Sequence, residues 1–231
     1  MQTTKLIVAR HGNTFNKGDV ILRIGSRTDL PLTEEGHAQG KRLGATILGM
    51  ELYPTRFYSA PLRRTIETSL EIASCFDLGA PPMIAEFLTE LDYGDDDGRP
   101  ETEVVRRLGA CEAQEMGLAP TPSDEELVEL GKKALRRWET ECVLPVGWRF
   151  LQRRVESLED EWRAFGEEIA AKYPAETVVA TTSNGIARFS LALLPERVER
   201  PKERKLSTGA SAVYILDRER NKWTLTAWNV R

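Results

Sequence analysis

The residues with the clearest chemical potential follow the first apolar run of the chain. Residues 6–9 are all apolar, and Arg10, His11 and Gly12 come directly after them. A short continuous apolar run is typical of a buried parallel strand, and open α/β sheets bind ligands at the carboxyl ends of such strands. The order therefore predicts a cation, an imidazole and an open backbone at a binding edge.

A second strand-to-helix turn repeats this arrangement. Residues 56–59 are a strand candidate, and Pro61 is suited to the first turn of the helix that follows. Arg63 and Arg64 stand at the start of that helix. Two basic turns at one sheet edge would converge on the same ligand.

Phosphoryl transfer is the chemistry that these residue types support. Planar guanidinium groups bind phosphoryl oxygens well, so Arg10, Arg64 and the loop residue Arg27 are candidate ligands. A neutral His11 between them could attack phosphorus and form a covalent intermediate. A carboxylic acid must then protonate the leaving oxygen, and Glu90 is the candidate.

The loop that contains Glu90 also has a plainer interpretation. Asp92 and residues 95–97 crowd the same loop, and a run of charges is usually a solvated face. The aspartate spacing does not match a calcium-binding EF-hand loop, and the three cysteines lack zinc-site spacing. We expect no metal and no cofactor.

The remaining chain alternates between strand and helix signals. The strand candidates are residues 6–9, 56–59, 82–87, 176–182, 212–216 and 223–228. Helices are predicted after the N-cap candidate Thr33, from Pro61 to about Cys75, and from Ser183 through Leu194. This alternation predicts an α/β fold with a mostly parallel central sheet flanked by helices. Residues 101–173, helical with breaks at 120–123 and 145–147, are predicted to cap the site.

Composition narrows the class of protein further. The 231 residues are 41% hydrophobic and 29% charged, with a net charge of -4, which suits one globular domain over residues 1–231. The acidic balance argues against a nucleic-acid binder, and no apolar stretch approaches the ~20 residues of a membrane span. Residues 1–5 lack the apolar stretch of a secretory signal, so we expect a cytoplasmic protein.

Four ordered segments carry a family resemblance. They are Arg-His-Gly-Asn-Thr at 10–14, Asp-Leu-Pro-Leu-Thr-Glu-Glu-Gly-His-Ala-Gln at 29–39, Leu-Arg-Arg-Thr-Ile-Glu-Thr at 62–68, and residues 88–98 with Leu-Thr-Glu and two bounding glycines. Together they resemble the histidine phosphatase superfamily, which has the phosphoglycerate mutase-like fold. The resemblance implies that His11 forms a phosphohistidine, that Arg10 and Arg64 rather than Arg63 bind phosphate, and that Glu90 is the acid.

Two departures from the family pattern bear on the site. The family places a second histidine after its fourth strand, whereas alignment on Arg188 puts Ser183 there and a shift by one puts Asn184 there. We expect Ser183, Asn184 and Asn13, which stands where many members carry Glu or Gln, to contact the phosphate. His37, the only other histidine, is expected on a solvated helix face.

Two functions follow from this resemblance. The first is a phosphatase that hydrolyses a phosphate monoester of a small metabolite through a phosphohistidine at His11. The alternative is a catalytically attenuated protein that binds a phosphorylated ligand. Mutase activity is disfavoured because the loop after Glu90 lacks the Arg-His-Tyr-Gly sequence of cofactor-dependent phosphoglycerate mutases. The expected partner is a phosphorylated small molecule, without nucleic acid or membrane, and homodimer formation stays open.

Overall fold

A six-stranded sheet forms the centre of the protein in the computed structural model, which describes residues 3–119, 122–217 and 219–231. The strands are β1 (Lys5–Arg10), β2 (Pro54–Ser59), β3 (Met83–Ile84), β4 (Thr177–Thr182), β5 (Ser211–Asp217) and β6 (Lys222–Val230). Their order is β3-β2-β4-β1-β5-β6. Strands β1 to β4 are parallel, and β5 pairs antiparallel with both of its neighbours, β1 and β6. The mostly parallel sheet is confirmed.

Strand β1 lies inside the sheet and is buried on both faces. Alternation along the strand sends Leu6 and Val8 into one hydrophobic core, and Ile7 and Ala9 into a second core on the opposite face. All four side chains are fully buried. Because β1 pairs with β4 along its whole length, the strand ends at Arg10 and Thr182 lie side by side.

Six α-helices of the described residues surround the sheet. They are α1 (Glu34–Gly49), α2 (Arg63–Ser74), α3 (Glu101–Glu115), α4 (Asp124–Glu141), α5 (Gln152–Lys172) and α6 (Asn184–Ala187). As predicted, Thr33 caps α1, since its Oγ1 accepts a hydrogen bond from Gly36 N at 3.1 Å. No helix of the described residues combines the length and apolar character that crossing a membrane requires.

Three boundaries differ from the sequence prediction. Helix α2 begins at Arg63 and not at Pro61, because the amides of Thr65 and Ile66 donate to Leu62 O. The third strand is only two residues long, since a 3₁₀ helix at Glu86–Leu88 follows it. The helix expected over 183–194 changes from α6 into a 3₁₀ helix, Arg188–Leu193.

The region predicted as a helical insertion contains α3, α4 and α5. Helices α3 and α4 pack through two glycines at very close range. A Cβ on Gly109 would lie 1.8 Å from Leu127 O, and a Cβ on Gly131 would lie 1.9 Å from Val105 O. Pro120, in the predicted break before α4, lies outside the described residues.

We expect Gly131→Ala to destabilise the protein by about 1–3 kcal/mol, because the added methyl group forces α3 and α4 apart. Gly49→Ala is the matched control, since a Cβ there meets no atom within 4 Å. Urea unfolding measures both variants. Equal stability of the two would contradict this account of the helix contact.

Candidate active site

A cavity of about 400 Å³ opens at the carboxyl ends of β1 and β4. Arg10, the last residue of β1, and His11 line it together with Asn184 and Gly185, which follow β4. Glu90 completes this end of the cavity. The structure thus brings residues from three distant parts of the chain to the sheet edge that the sequence indicated.

His11 is neutral, and one of its ring nitrogens is engaged in a hydrogen bond. Its Nδ1 lies 2.7 Å from Gly12 O, and a carbonyl oxygen can only accept, so Nδ1 carries the proton and Nε2 the lone pair. Burial, assisted by the charges of Arg64 and Arg10, lowers the pKa of His11 well below its ordinary value. A neutral imidazole with a free Nε2 lone pair is the nucleophilic form.

Gly12 is required for this geometry. A Cβ at Gly12 would lie 2.3 Å from Gly36 O, inside the first turn of α1. The Gly12 amide also donates to Thr68 Oγ1 on α2 at 3.0 Å. The carbonyl that fixes His11 is therefore itself fixed by two helices.

Arg10 lies beside His11 and is anchored by backbone. Its Nη1 donates to Leu206 O at 2.6 Å, while its buried Nε has no hydrogen-bond partner among the described residues. Burial lowers the pKa of Arg10 to about 10, with Glu90 acting in the opposite direction. Arg10 therefore remains a cation at neutral pH, with a donor still available for a ligand.

Arg64, which the resemblance implied as a phosphate ligand, and Arg63 have different environments. Arg64 is fully buried and donates to Thr28 O at 2.7 Å and Gly25 O at 3.0 Å. Arg63 is exposed and pairs with Glu67. Arg64 lies behind the cavity wall, from where its charge acts on His11.

Arg27 is not part of the site, contrary to the sequence expectation. Its side chain is exposed and pairs with Asp92 at 2.9 Å. This ion pair, together with a hydrogen bond to Gly94 O, attaches Arg27 to the acidic loop. Its guanidinium group is thus engaged outside the cavity.

Glu90 is buried at the cavity and held by two backbone amides. Oε1 accepts from Leu91 N at 2.8 Å, and Oε2 accepts from Gly185 N at 3.0 Å. A Cβ at Gly185 would lie 2.0 Å from Glu90 Oε1, so only glycine permits this contact. The carboxylate is thereby oriented beside the start of α6.

The acidic loop after Glu90 is only partly solvated, so the alternative interpretation of a solvated charge run is wrong for Asp96. Asp96 is buried and accepts from Arg107 Nε at 2.6 Å and Trp148 Nε1 at 2.7 Å. Asp97 accepts from the amides of Gly25 and Arg27, both at 3.0 Å. These aspartates build the loop and do not face a ligand.

Asn184, not Ser183, reaches the cavity among the described residues. Asn184 Oδ1 accepts from Leu206 N at 3.0 Å, which leaves the Nδ2 donor for a ligand. Ser183 is buried, and its Oγ has no partner in the described parts of the chain. Asn13 lines the wall, and its backbone N–H donates to Gln39 Oε1 at 2.8 Å.

Arg188 and Trp138 line the cavity, although the sequence did not assign either to the site. The Arg188 guanidinium lies 4.6 Å from the Trp138 ring centre, and its Nε donates to Asn184 O at 3.0 Å. Arg188 could have been found from the segment after β4, where it served only to set the alignment. Nothing in the sequence distinguished Trp138 from the packing tryptophans Trp148 and Trp162.

Comparison with known proteins identifies the family. The family model of the histidine phosphatase superfamily (branch 1) matches residues 6–142. This match covers more than half of the chain, and the protein therefore belongs to the histidine phosphatase superfamily.

Individual relatives agree with this membership. A 2,3-bisphosphoglycerate-dependent phosphoglycerate mutase of Rhodococcus jostii is 32% identical over 110 residues, covering 47% of this chain and 43% of the mutase. The chain thus matches less than half the length of that relative. A mycobacterial glucosyl-3-phosphoglycerate phosphatase, solved with VO3, has a TM-score of 0.64 at 20% identity, with 98% of this chain and 99% of that chain covered. A phosphoglycerate mutase of Bacillus anthracis has a TM-score of 0.68 at 18% identity, covering 99% and 94% of the respective chains. The fold is phosphoglycerate mutase-like.

We expect the His11 imidazole to remain neutral at pH 6, below the ordinary histidine pKa of about 6.5, because burial and two arginines disfavour its protonation. Arg64→Met removes one of these cations and should raise the pKa of His11. Arg63→Met, on the same helix but exposed, is the matched control. NMR titration of the ring measures all three proteins. A wild-type His11 that titrates at or above pH 6.5 would refute this electrostatic account.

Proposed function

We propose that the protein is a phosphatase that hydrolyses a phosphate monoester of a small metabolite through a phosphohistidine on His11. The observation that carries the proposal is the neutral His11, whose Nδ1 proton is bound to Gly12 O and whose Nε2 bears the lone pair, in a cavity that Arg10 also lines. The superfamily match and a phosphatase with the same fold support the class of reaction.

In the first step His11 Nε2 attacks phosphorus, and the bond from phosphorus to the ester oxygen breaks. Arg10 and Asn184 donate hydrogen bonds to the phosphoryl oxygens, and Arg64 adds positive charge from behind the wall. Glu90 supplies a proton to the leaving oxygen, so that an alcohol departs. The Nδ1–Gly12 hydrogen bond stabilises the charge that develops on the ring.

In the second step water attacks the phosphorus of phosphohistidine. Glu90, now a carboxylate, accepts a proton from that water, and the bond from phosphorus to Nε2 breaks. The step releases inorganic phosphate and restores the neutral ring. Glu90 therefore acts first as an acid and then as a base, within a site where backbone amides hold its orientation.

Rapid acid or alkali quenching during turnover of a labelled phosphate ester tests the intermediate. We expect a phosphoryl group on the protein that is labile to acid and stable to alkali. His11→Asn should abolish the labelling and lower kcat by about 10⁴-fold, because the covalent route is lost. His37→Asn is the matched control, since His37 lies on α1 and pairs with Glu71. Unchanged turnover in His11→Asn would refute the proposal.

A ligand-binding protein without efficient turnover is the second candidate. The observation that favours it is Asn184 at the cavity. Asn184 is one of the two positions at which the family resemblance implies a second histidine, and its amide donor carries no charge. Binding of inorganic phosphate by the folded protein, with no turnover of any ester in a broad panel, would establish this candidate in place of the phosphatase.

A further inference from the structure

Two ion pairs also line the cavity. Lys205 Nζ lies 2.8 Å from Glu139 Oε1 of α4, and Arg23 pairs with Glu101 of α3. All four residues are on the cavity wall. Lys205 and Arg23 are therefore each paired with a carboxylate before any ligand binds.

The Arg23–Glu101 pair is held in place by its surroundings. The Arg23 guanidinium lies 5.2 Å from the Tyr93 ring centre and 4.9 Å from that of Trp148. The Arg23 amide also donates to Arg99 O at 2.8 Å, and Glu101 N donates to Ile21 O at 2.8 Å. Arg23 is thus fixed against its carboxylate and cannot turn freely toward a second anion.

The charges around the cavity match one phosphoryl dianion. The cations on the cavity wall are Arg10, Arg23, Arg188 and Lys205, and the carboxylates are Glu101 and Glu139, with Glu90 as the proton donor of the proposed first step. Four cations against two carboxylates leave a surplus of two positive charges. Burial keeps His11 and Tyr93 neutral, because it lowers the pKa of His11 and raises that of Tyr93. The phosphoryl group consumes this surplus.

A second anionic group would meet an unfavourable environment. It would lose its hydration and approach the carboxylate of Glu101 or Glu139, which would repel it. The cations beside these carboxylates, Arg23 and Lys205, are already paired. A hydroxyl group differs, because it can donate to either carboxylate and accept from either cation. Trp138 Nε1 and Arg23 Nε are buried donors without a partner among the described residues, so acceptor atoms of a neutral ligand would satisfy them.

We propose that the substrate is a phosphate monoester whose organic part is uncharged and bears hydroxyl groups, as in a sugar phosphate, and that a second phosphate or a carboxylate is selected against. This inference rests on the proposed phosphatase function and specifies the substrate class of the same cavity. It distinguishes this chain from a site that accepts phosphoglycerates or bisphosphates.

Binding measurements on matched pairs of esters test the inference without requiring turnover. The host is the His11→Asn variant, titrated by calorimetry at constant ionic strength. The first pair is fructose 6-phosphate and fructose 1,6-bisphosphate, and the second is glycerol 3-phosphate and 3-phosphoglycerate. We expect the member of each pair that has one anionic group to bind at least about tenfold more tightly. Equal or tighter binding of the members with two anionic groups would overturn the inference, as would no binding of either ester with an uncharged organic part at millimolar concentration.

Removing the carboxylate that pairs with Lys205 should weaken the preference for esters with one anionic group. Glu139→Gln, added to the same host, leaves Lys205 without its carboxylate, and we expect the preference within each pair to fall by about tenfold. Glu115→Gln is the matched control, because Glu115 pairs with the exposed Arg149 outside the cavity. An unchanged preference in Glu139→Gln would contradict the role of the Lys205–Glu139 pair.

The two proposals fail in distinguishable ways. Absence of a phosphohistidine in the wild-type protein during turnover counts against the phosphatase. The binding ratios are independent of that result, because they are measured in His11→Asn, which cannot form phosphohistidine. If the wild-type protein forms phosphohistidine but the His11→Asn variant prefers the bisphosphate, the proposed substrate class is wrong and the proposed phosphatase function stands.

Discussion

The hydrogen bond between His11 Nδ1 and Gly12 O is the interaction on which the site depends. It determines which ring nitrogen keeps the lone pair, and it can form only because Gly12 lies against the first turn of α1 without a Cβ. The neighbouring cations Arg10 and Arg64 have two effects. They assist burial in keeping the imidazole unprotonated, and in the proposed mechanism they supply positive charge for an incoming phosphoryl group. The proposed nucleophile and its proposed anion site thus arise from one arrangement at the end of β1.

The backbone of Leu206 couples the two sides of this site. Its carbonyl oxygen accepts from Arg10, and its N–H donates to Asn184 Oδ1. One buried residue therefore orients both the last residue of β1 and a residue after β4. The Asn184 carbonyl in turn accepts from Arg188, whose guanidinium rests on Trp138 of α4. The inserted helices therefore support the phosphoryl end as well as forming the distal wall.

Local sequence signals were sufficient for β1 and for Thr33 at the start of α1. Each depends on residues near one another in the chain, whereas the choice of Arg64 over Arg63 came from the family resemblance. The choice between Ser183 and Asn184 needed the loop at Leu206, 22 residues away in the sequence. The ion pair between Glu139 and Lys205 joins residues 66 positions apart, and no local pattern specifies it. Arg27 was misassigned because its ion pair with Asp92 joins distant parts of the chain, and no local pattern specifies that pair.

A crystal structure of the protein with vanadate bound tests the central claim most directly. We expect vanadium bonded to His11 Nε2, with Nδ1 still bound to Gly12 O and the vanadate oxygens accepting from Arg10 and from Asn184 Nδ2. Vanadate bound away from His11, or a His11 ring turned so that Nδ1 faces the anion, would contradict the account.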